Sequence, residues 1–280
     1  MRREVMYLGM AMAVIALTVG SAQAVLVAHY TFDVDDGGTT PDAVGVGNFA
    51  TLGERVAINT TEGLAKVGSG VLHMMGPGEL TGSPDAGAVS SNMFEFGTGA
   101  RTFTFWWRAD VDNPDYTDTA QGTYVSTGVS AGFGNRFDVR ESGAGTSLRV
   151  EVNGGFAQSN PAIDDGDWYF IAVTAPEAGT VGDIALYVNG NVLSPDRGTA
   201  GRALTTQEGP LVMGASVVTN VNQDARVPYG FLDDVQVYDI ALTDAQIQSL
   251  YANPGSVIPE PATLALLGLG SIGLLKFRRR

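Results

Sequence analysis

Two histidines, no cysteine and thirty carboxylates bound the chemistry open to this chain. An imidazole-activated serine would have to use His29 or His73. Both fall in stretches that read as strand, VLVAHYTF and GVLHMMG, with no nucleophile elbow beside them. Zinc has no ligand set, since the chain offers neither cysteine nor a paired-histidine spacing. Hard oxygen ligands are better represented. Asp33, Asp35 and Asp36 crowd the turn FDVDDGG, and Asp233 and Asp234 stand together in FLDDVQV. Carboxylates on glycine-rich turns suit Ca2+, although the spacing is not that of an EF-hand. Strand alternation places Asp233 with Val235 and Val237, so a buried carboxylate there needs Ca2+, an arginine or backbone N–H groups. Flat rings offer a different chemistry, stacking on sugars. Trp106 and Trp107 are adjacent and so point to opposite faces of a strand. Trp107 falls with Phe103 and Phe105, a core face. Trp106 falls with Thr102, Thr104 and Arg108, a mixed face that could line a ligand groove, with packing beneath a further layer as the other reading. Glu151 stands alone opposite Leu148, Val150 and Val152 and reads as solvated.

The elements that must carry these groups are strands. RTFTFWWRAD, TYVSTGV, RFDVRES, SLRVEVN, DWYFIAVTA, DIALYVNGNVL, GPLVMGA and GFLDDVQVYDI are rich in β-branched and aromatic residues. Leu148, Val150 and Val152 oppose Arg149 and Glu151, which marks a sheet with one buried face. DWYFIAVTA is apolar on both faces and belongs beneath a second layer. Asn153-Gly154 and Asn189-Gly190 supply the positive φ angles of type I′ hairpin turns. FATLGERVAINTTEGLAKVGSG reads as loop. One helix is expected in LTDAQIQSLYANPG, opened by a Thr243/Gln246 capping box and stopped by Asn253-Pro254. The expectation is all-β: a two-sheet antiparallel sandwich with one short late helix.

Both ends read as address labels. Residues 1–24 have a basic opening, an apolar stretch and Ala22-Gln23-Ala24, so cleavage is expected between Ala24 and Val25. Residues 256–280 order Pro259-Glu260-Pro261, an apolar run over 262–275 and a basic tip. That run is about 21 Å long as a helix, short of the roughly 30 Å bilayer core unless Phe277 is added and Lys276 snorkels. The basic tip suits the cytoplasmic side of a membrane. Without both ends, the body from 25 to 255 holds 10 basic and 28 acidic residues, net −18. Such a surface repels phosphate backbones and excludes nucleic acid as a partner class. Divalent cations and neutral polymers remain.

The tail, with its three features in order, closely resembles the PEP-CTERM sorting signal. That resemblance implies recognition by an exosortase-type membrane enzyme, transient anchoring through the C-terminal segment, and delivery to the cell surface or an extracellular matrix. HYTFD, GVLHMMG, RTFTFWWRAD, DWYFIAVTAPEAG, IALYVNGNV, PLVMGAS and GFLDDVQVYDIALTDAQIQSLY, in that order, are similar to the laminin-G-like, concanavalin A-like jelly-roll domains of bacterial surface proteins. This resemblance implies a jelly roll over 25–255 with the late helix covering an end. In some relatives a calcium ties the end of the first strand to the penultimate strand, positions matched here by Asp33, Asp233 and Asp234. Glucanases of this fold carry Glu-x-Asp-x-x-Glu on one strand, a run absent from this sequence. The function expected is therefore a non-enzymatic exported domain. It would bind an extracellular polysaccharide or another surface ligand, with Trp106 and Arg108 as contacts. The alternative is a purely structural matrix component, and a hydrolase or lyase ranks below both.

Overall fold

The computed structural model describes residues 24–45, 47–76, 86–116, 121–142, 147–218 and 226–259. The expected leader up to residue 23, together with Glu260, Pro261 and the apolar run at 262–275, lies outside the described residues. In chain order the strands are β1 (Leu26–Tyr30), β2 (Thr39–Pro41), β3 (Phe49–Thr51), β4 (Val56–Asn59), β5 (Val71–Met75) and β6 (Ala88–Phe94). They continue with β7 (Arg101–Ala109), β8 (Thr123–Gly128), β9 (Arg136–Glu141), β10 (Leu148–Glu151), β11 (Phe156–Ser159) and β12 (Tyr169–Ala175). The last are β13 (Ala185–Val188), β14 (Asn191–Val192), β15 (Asp196–Gly198), β16 (Gly209–Met213) and β17 (Tyr229–Tyr238), followed by helix α1 (Asp244–Ala252).

These strands make two antiparallel sheets. The first runs β14-β13-β12-β7-β17-β5-β4, with β1 paired to the second half of β17; the other runs β15-β11-β10-β9-β8-β16-β6-β3-β2. The expected jelly-roll sandwich is what forms. Its core is the set of residues whose alternation faces inward. Phe103, Phe105 and Trp107 of β7 meet Phe137 and Tyr124 of the second sheet, with ring centroids 5.4 Å apart for Phe103–Phe137 and 4.6 Å for Trp107–Tyr124. The Trp107 indole N–H donates to the Ile163 carbonyl at 3.0 Å, so its one polar atom is satisfied in the interior.

Asn189 and Gly190 turn between β13 and β14 with φ of 49° and 76°, and Asn153 and Gly154 turn between β10 and β11 with 57° and 83°. Both are the positive-φ pairs that a type I′ hairpin requires. The Thr243 hydroxyl accepts from the Gln246 amide, and the Gln246 side chain accepts from the Thr243 amide at 2.9 Å, closing the capping box of α1.

Two sequence expectations are corrected. The stretch read as loop contains β3 and β4, which pair with β6 and β5. At three and four residues they are too short to show a period, and their register comes from their partners. The parity of Asp233 is also reversed. Asp233 opposes Trp106 and Gln236 opposes Thr104, with a register shift between them and Asp234 at φ 50°. This bulge turns Asp233 to the outer face with Gln236 and Tyr238, while Val235 and Val237 stay in the core. Among the described residues no helix is long and apolar enough to cross a membrane.

Candidate functional site

The outer faces of the two sheets have different fates. That of the first sheet is covered. Trp106, expected to line a groove, is 2% exposed. Its ring packs on Phe170 of β12 at 5.3 Å and on Tyr251 of α1 at 5.9 Å, and Lys66 Nζ lies 4.2 Å above it. Arg108 donates to the Gly166 carbonyl at 2.9 Å and stands 5.6 Å over Phe231. Helix, loop and side chains therefore fill the expected groove, because the apolar ring of Trp106 supplies the area on which α1 docks.

The carboxylates expected to hold calcium act instead as acceptors for the covering segments. Asp33 Oδ1 accepts from the Ser69 and Gly70 amides at 2.5 and 3.0 Å. Asp233 Oδ2 accepts from the Lys66 and Val67 amides, both at 2.8 Å. Asp234 Oδ1 meets His29 Nε2 at 2.7 Å, and the Gln236 amide group donates to Asp234 at 3.1 Å. These donors take Asp33 Oδ1 and Asp233 Oδ2, while Asp233 Oδ1 is buried without a hydrogen-bond partner. Among the described residues no three acidic or histidine side chains are placed to hold a metal ion. The three positions therefore do not fit Ca2+ as a set. Burial pushes Asp233 up to about 7, against the pull of the Val67 and Lys66 amides.

On the second sheet the outer face carries charge. Phe137 and Val139 of β9 and Leu148 and Val150 of β10 point inward. Arg136, Asp138, Arg140, Arg149 and Glu151 must therefore share the other face, and cross-strand pairing sets Asp138 beside Glu151 and Arg140 beside Arg149. Arg136 Nε lies 2.9 Å from Asp138 Oδ2. Arg140 Nη2 lies 3.6 Å and Arg136 Nη2 4.0 Å from the Glu151 carboxylate, and Arg149 Nε donates to Glu151 at 3.0 Å. Ser126 and Ser216 hydroxyls cap Asp138, and Arg226 donates to the Ser216 hydroxyl at 3.4 Å. Glu151, read from the sequence as solvated, is 8% exposed beneath three guanidinium groups.

Burial raises Asp138 although Arg136 and the Ser126 hydroxyl oppose it; burial and then Arg149 push Arg140 down to about 10. The Arg140 Nε is buried without a hydrogen-bond partner. Four of the body's ten basic residues thus converge around two carboxylates, leaving a local positive excess in a strongly acidic protein. Alternating charge in RFDVRES and SLRVEVN was the sequence signal for this face.

The cluster opens toward solvent at β10 and β11. Arg149 donates to Gln158 Oε1 at 3.3 Å and its guanidinium lies 3.8 Å above the Phe156 ring. Phe156 follows the Asn153–Gly154 turn by one residue, Gly155, and opens β11. On the other side of that turn Phe133, 67% exposed, stands against Gly154, with Arg202 4.4 Å from its ring centre. The β8–β9 loop is fixed there by Asn153, whose side-chain amide donates to Gly132 and Ser130 carbonyls at 2.6 and 3.2 Å. Two separate ring–guanidinium pairs thus flank the turn, Phe156 with Arg149 and Phe133 with Arg202. A separate surface cavity of about 430 Å³, bounded by Val34, Asp42, Asn48 and Phe49, holds none of these groups.

A family model described as the concanavalin A-like lectin/glucanases superfamily matches residues 81–248, and a PEP-CTERM protein-sorting motif matches residues 257–280. Solved structures share the fold at low identity. The binding domain of Paraclostridial Mosquitocidal Protein 1 aligns at 13% identity with a TM-score of 0.52, covering 81% of this chain and 51% of that one. The botulinum neurotoxin serotype G binding domain aligns at 16% and 0.52, covering 81% and 51%. The serotype D ligand binding domain, solved in complex with N-acetylneuraminic acid, aligns at 13% and 0.52, covering 82% and 51%. The chain thus spans about half the length of these solved chains. No curated protein matches it.

Proposed function

Because the chain belongs to the concanavalin A-like lectin/glucanases superfamily and carries a PEP-CTERM sorting motif, we propose that it is an exported, non-enzymatic glycan-binding protein. In this reading the tail anchors it in the membrane until an exosortase-type enzyme processes it, and the body then works at the cell surface or in the surrounding matrix. The recognition face is the outer face of the second sheet at β10, β11 and the β8–β9 loop.

The observation that carries the reading is the exposed Phe133 ring, held between Gly154 and Arg202 at the turn that leads into the strand of the Arg149–Phe156 stack. Exposed rings stack on the apolar faces of sugars, and planar guanidinium groups pair with hydroxyls and carboxylates in two-pronged fashion. The excess of arginine favours polysaccharides bearing carboxylates, which the acidic remainder of the surface would repel. Binding rather than hydrolysis is supported by the state of Asp138 and Glu151. Asp138 is held by Arg136 and the Ser126 and Ser216 hydroxyls, and Glu151 by arginines, so both carboxylates are already paired beneath the surface. A neighbouring fold solved with N-acetylneuraminic acid lends this chemistry an analogy.

The test is retention of the exported protein on immobilised alginate, hyaluronan and neutral glucans, with and without Ca2+. Retention on the acidic polymers, lost in Phe133→Ala and Arg149→Gln, is expected. Absence of retention on every polymer would favour a purely structural matrix role.

A further inference from the structure

The two Asn-Gly turns use their asparagine side chains in opposite ways. Asn153 faces two carbonyls: its amide group donates to Gly132 at 2.6 Å and to Ser130 at 3.2 Å. A donor must stand there. Asn189 faces an N–H: its Oδ1 accepts from the Phe170 amide at 2.9 Å. An acceptor must stand there. The main chain of the first turn adds to the same contact, since the Gly134 amide donates to the Asn153 carbonyl at 3.0 Å. On its far side the β8–β9 loop is held at Gly134 and Asn135, whose carbonyls accept from the Thr205 and Gln207 amides at 3.1 and 3.0 Å. The Asn153 side chain thus latches the part of the loop that leads into Phe133, and Phe133 rests on Gly154, where an added Cβ would stand 2.5 Å from its ring.

We propose that Asn153 is a modification site, at which deamidation irreversibly unlatches the tip of the β8–β9 loop, while the same chemistry at Asn189 leaves its turn intact. Glycine after asparagine puts no Cβ in the way of the reaction. The Gly154 nitrogen bonds to Asn153 Cγ, and the side-chain nitrogen leaves as ammonia with the Gly154 amide proton. Water then opens the five-membered imide to aspartate or isoaspartate. The reaction needs the Asn153 side chain to swing out of its two hydrogen bonds, so it proceeds from the locally opened loop. Its product cannot close the latch again. A carboxylate at 153 sets an acceptor against the Ser130 and Gly132 carbonyls, and both lose their donor. Aspartate at 189 still accepts from Phe170, and with a charge to strengthen the bond. The turns themselves tolerate the change, because aspartate shares the tolerance of asparagine for positive φ. Unlatching frees Phe133 from its seat on Gly154. That this weakens ligand retention rests on the glycan-binding reading; the latch and its chemistry do not.

The experiment ages the exported protein at pH 8, folded and in urea, and reads deamidation by peptide mass, a gain of about 1 Da at each site. Hydrogen exchange then compares the deamidated fraction, Asn153→Asp and Asn189→Asp with the wild type. In the deamidated fraction and in Asn153→Asp the Gly134 amide is expected to exchange at least tenfold faster, with β7 and β12 still protected. Asn189→Asp is expected to keep the wild-type protection of the Phe170 amide. The loss in Asn153→Asp is expected to shrink below about pH 4, where the protonated carboxyl can donate to one carbonyl. Wild-type protection of Gly134 in Asn153→Asp, or a loss that ignores pH, overturns the latch. A folded chain still unmodified at Asn153 when the urea-unfolded chain is fully converted overturns the modification site. Retention on alginate is expected to fall in Asn153→Asp and to persist in Asn189→Asp. A freed loop with undiminished retention overturns the placing of the glycan-binding face at Phe133 and leaves the latch standing.

Discussion

Replacing Asp233 by asparagine should change how stability depends on pH, and the structure gives the size of the change. Burial raises the Asp233 carboxyl from 3.8 to about 7. Below about pH 4 the folded and unfolded chains both hold the proton, and burial carries no charge penalty. Between pH 4 and 7 the unfolded chain releases it while the folded chain keeps it, so stability falls as pH rises. Above pH 7 both are ionised, and the full penalty stands at about three pK units, or about 4 kcal/mol at ~1.4 kcal/mol per unit. In the Asp233→Asn variant the side-chain amide would keep an oxygen for the Lys66 and Val67 amides but could not ionise. Urea unfolding of both proteins from pH 4 to 8 is the assay. The variant-minus-wild-type difference is expected to rise by about 4 kcal/mol across that range, or on the order of 10 °C in Tm for a domain this size. Taking the difference cancels Asp138, which burial also raises. A difference that stays constant within about 1 kcal/mol would refute the argument that Asp233 is held protonated by burial.

Glu151→Ala removes the carboxylate that three guanidinium groups share. Breaking a buried ion pair on one side leaves uncompensated charge, and a loss of about 3–5 kcal/mol in chemical denaturation is expected; a loss under about 1 kcal/mol would return Glu151 to the solvated surface. Millimolar CaCl2 is expected to leave Tm unchanged, because among the described residues no three acidic or histidine side chains are grouped to hold a metal ion. A saturable rise of several degrees, abolished by Asp234→Asn, would restore a cation site.

Much of the sandwich was legible because its strands are long enough to show a period. Leu148, Val150 and Val152 announce an inward face, and two Asn-Gly pairs announce hairpins whose φ angles the structure repeats. The opposition of Trp106 and Trp107 was legible for the same reason. What covers Trp106 was not, since Tyr251, Phe170 and Lys66 reach it from three separate elements. The Asp234 bulge was hidden by its own regularity. FLDDVQV alternates acceptably if no residue is skipped, and only Asp tolerance of the left-handed region hinted at a break. The charged face was half-visible. Arg136, Asp138 and Arg140 alternate as clearly as Arg149 and Glu151, but nothing local says that the two strands are neighbours in register.

The absence of cysteine in an exported domain calls for another way to hold long excursions of the chain. Carboxylates do this here. Asp33 takes the Ser69 and Gly70 amides, Asp233 takes the Lys66 and Val67 amides, and Asp234 takes Gly255. The first two hold one loop at neighbouring points but titrate in opposite senses. Partial burial works to raise Asp33, but the Ser69 and Gly70 amides outweigh it and hold its carboxyl below the ordinary value. Its contribution is therefore present above the unfolded pKa and lost as pH falls through the folded one. Asp233, raised by burial, contributes in the acid range and loses ground as pH approaches about 7. Acidification thus weakens the Asp33 contact while relieving the charge penalty at Asp233. A loop held by two such acids keeps its place over Trp106 across a wider span of pH than either contact alone would allow.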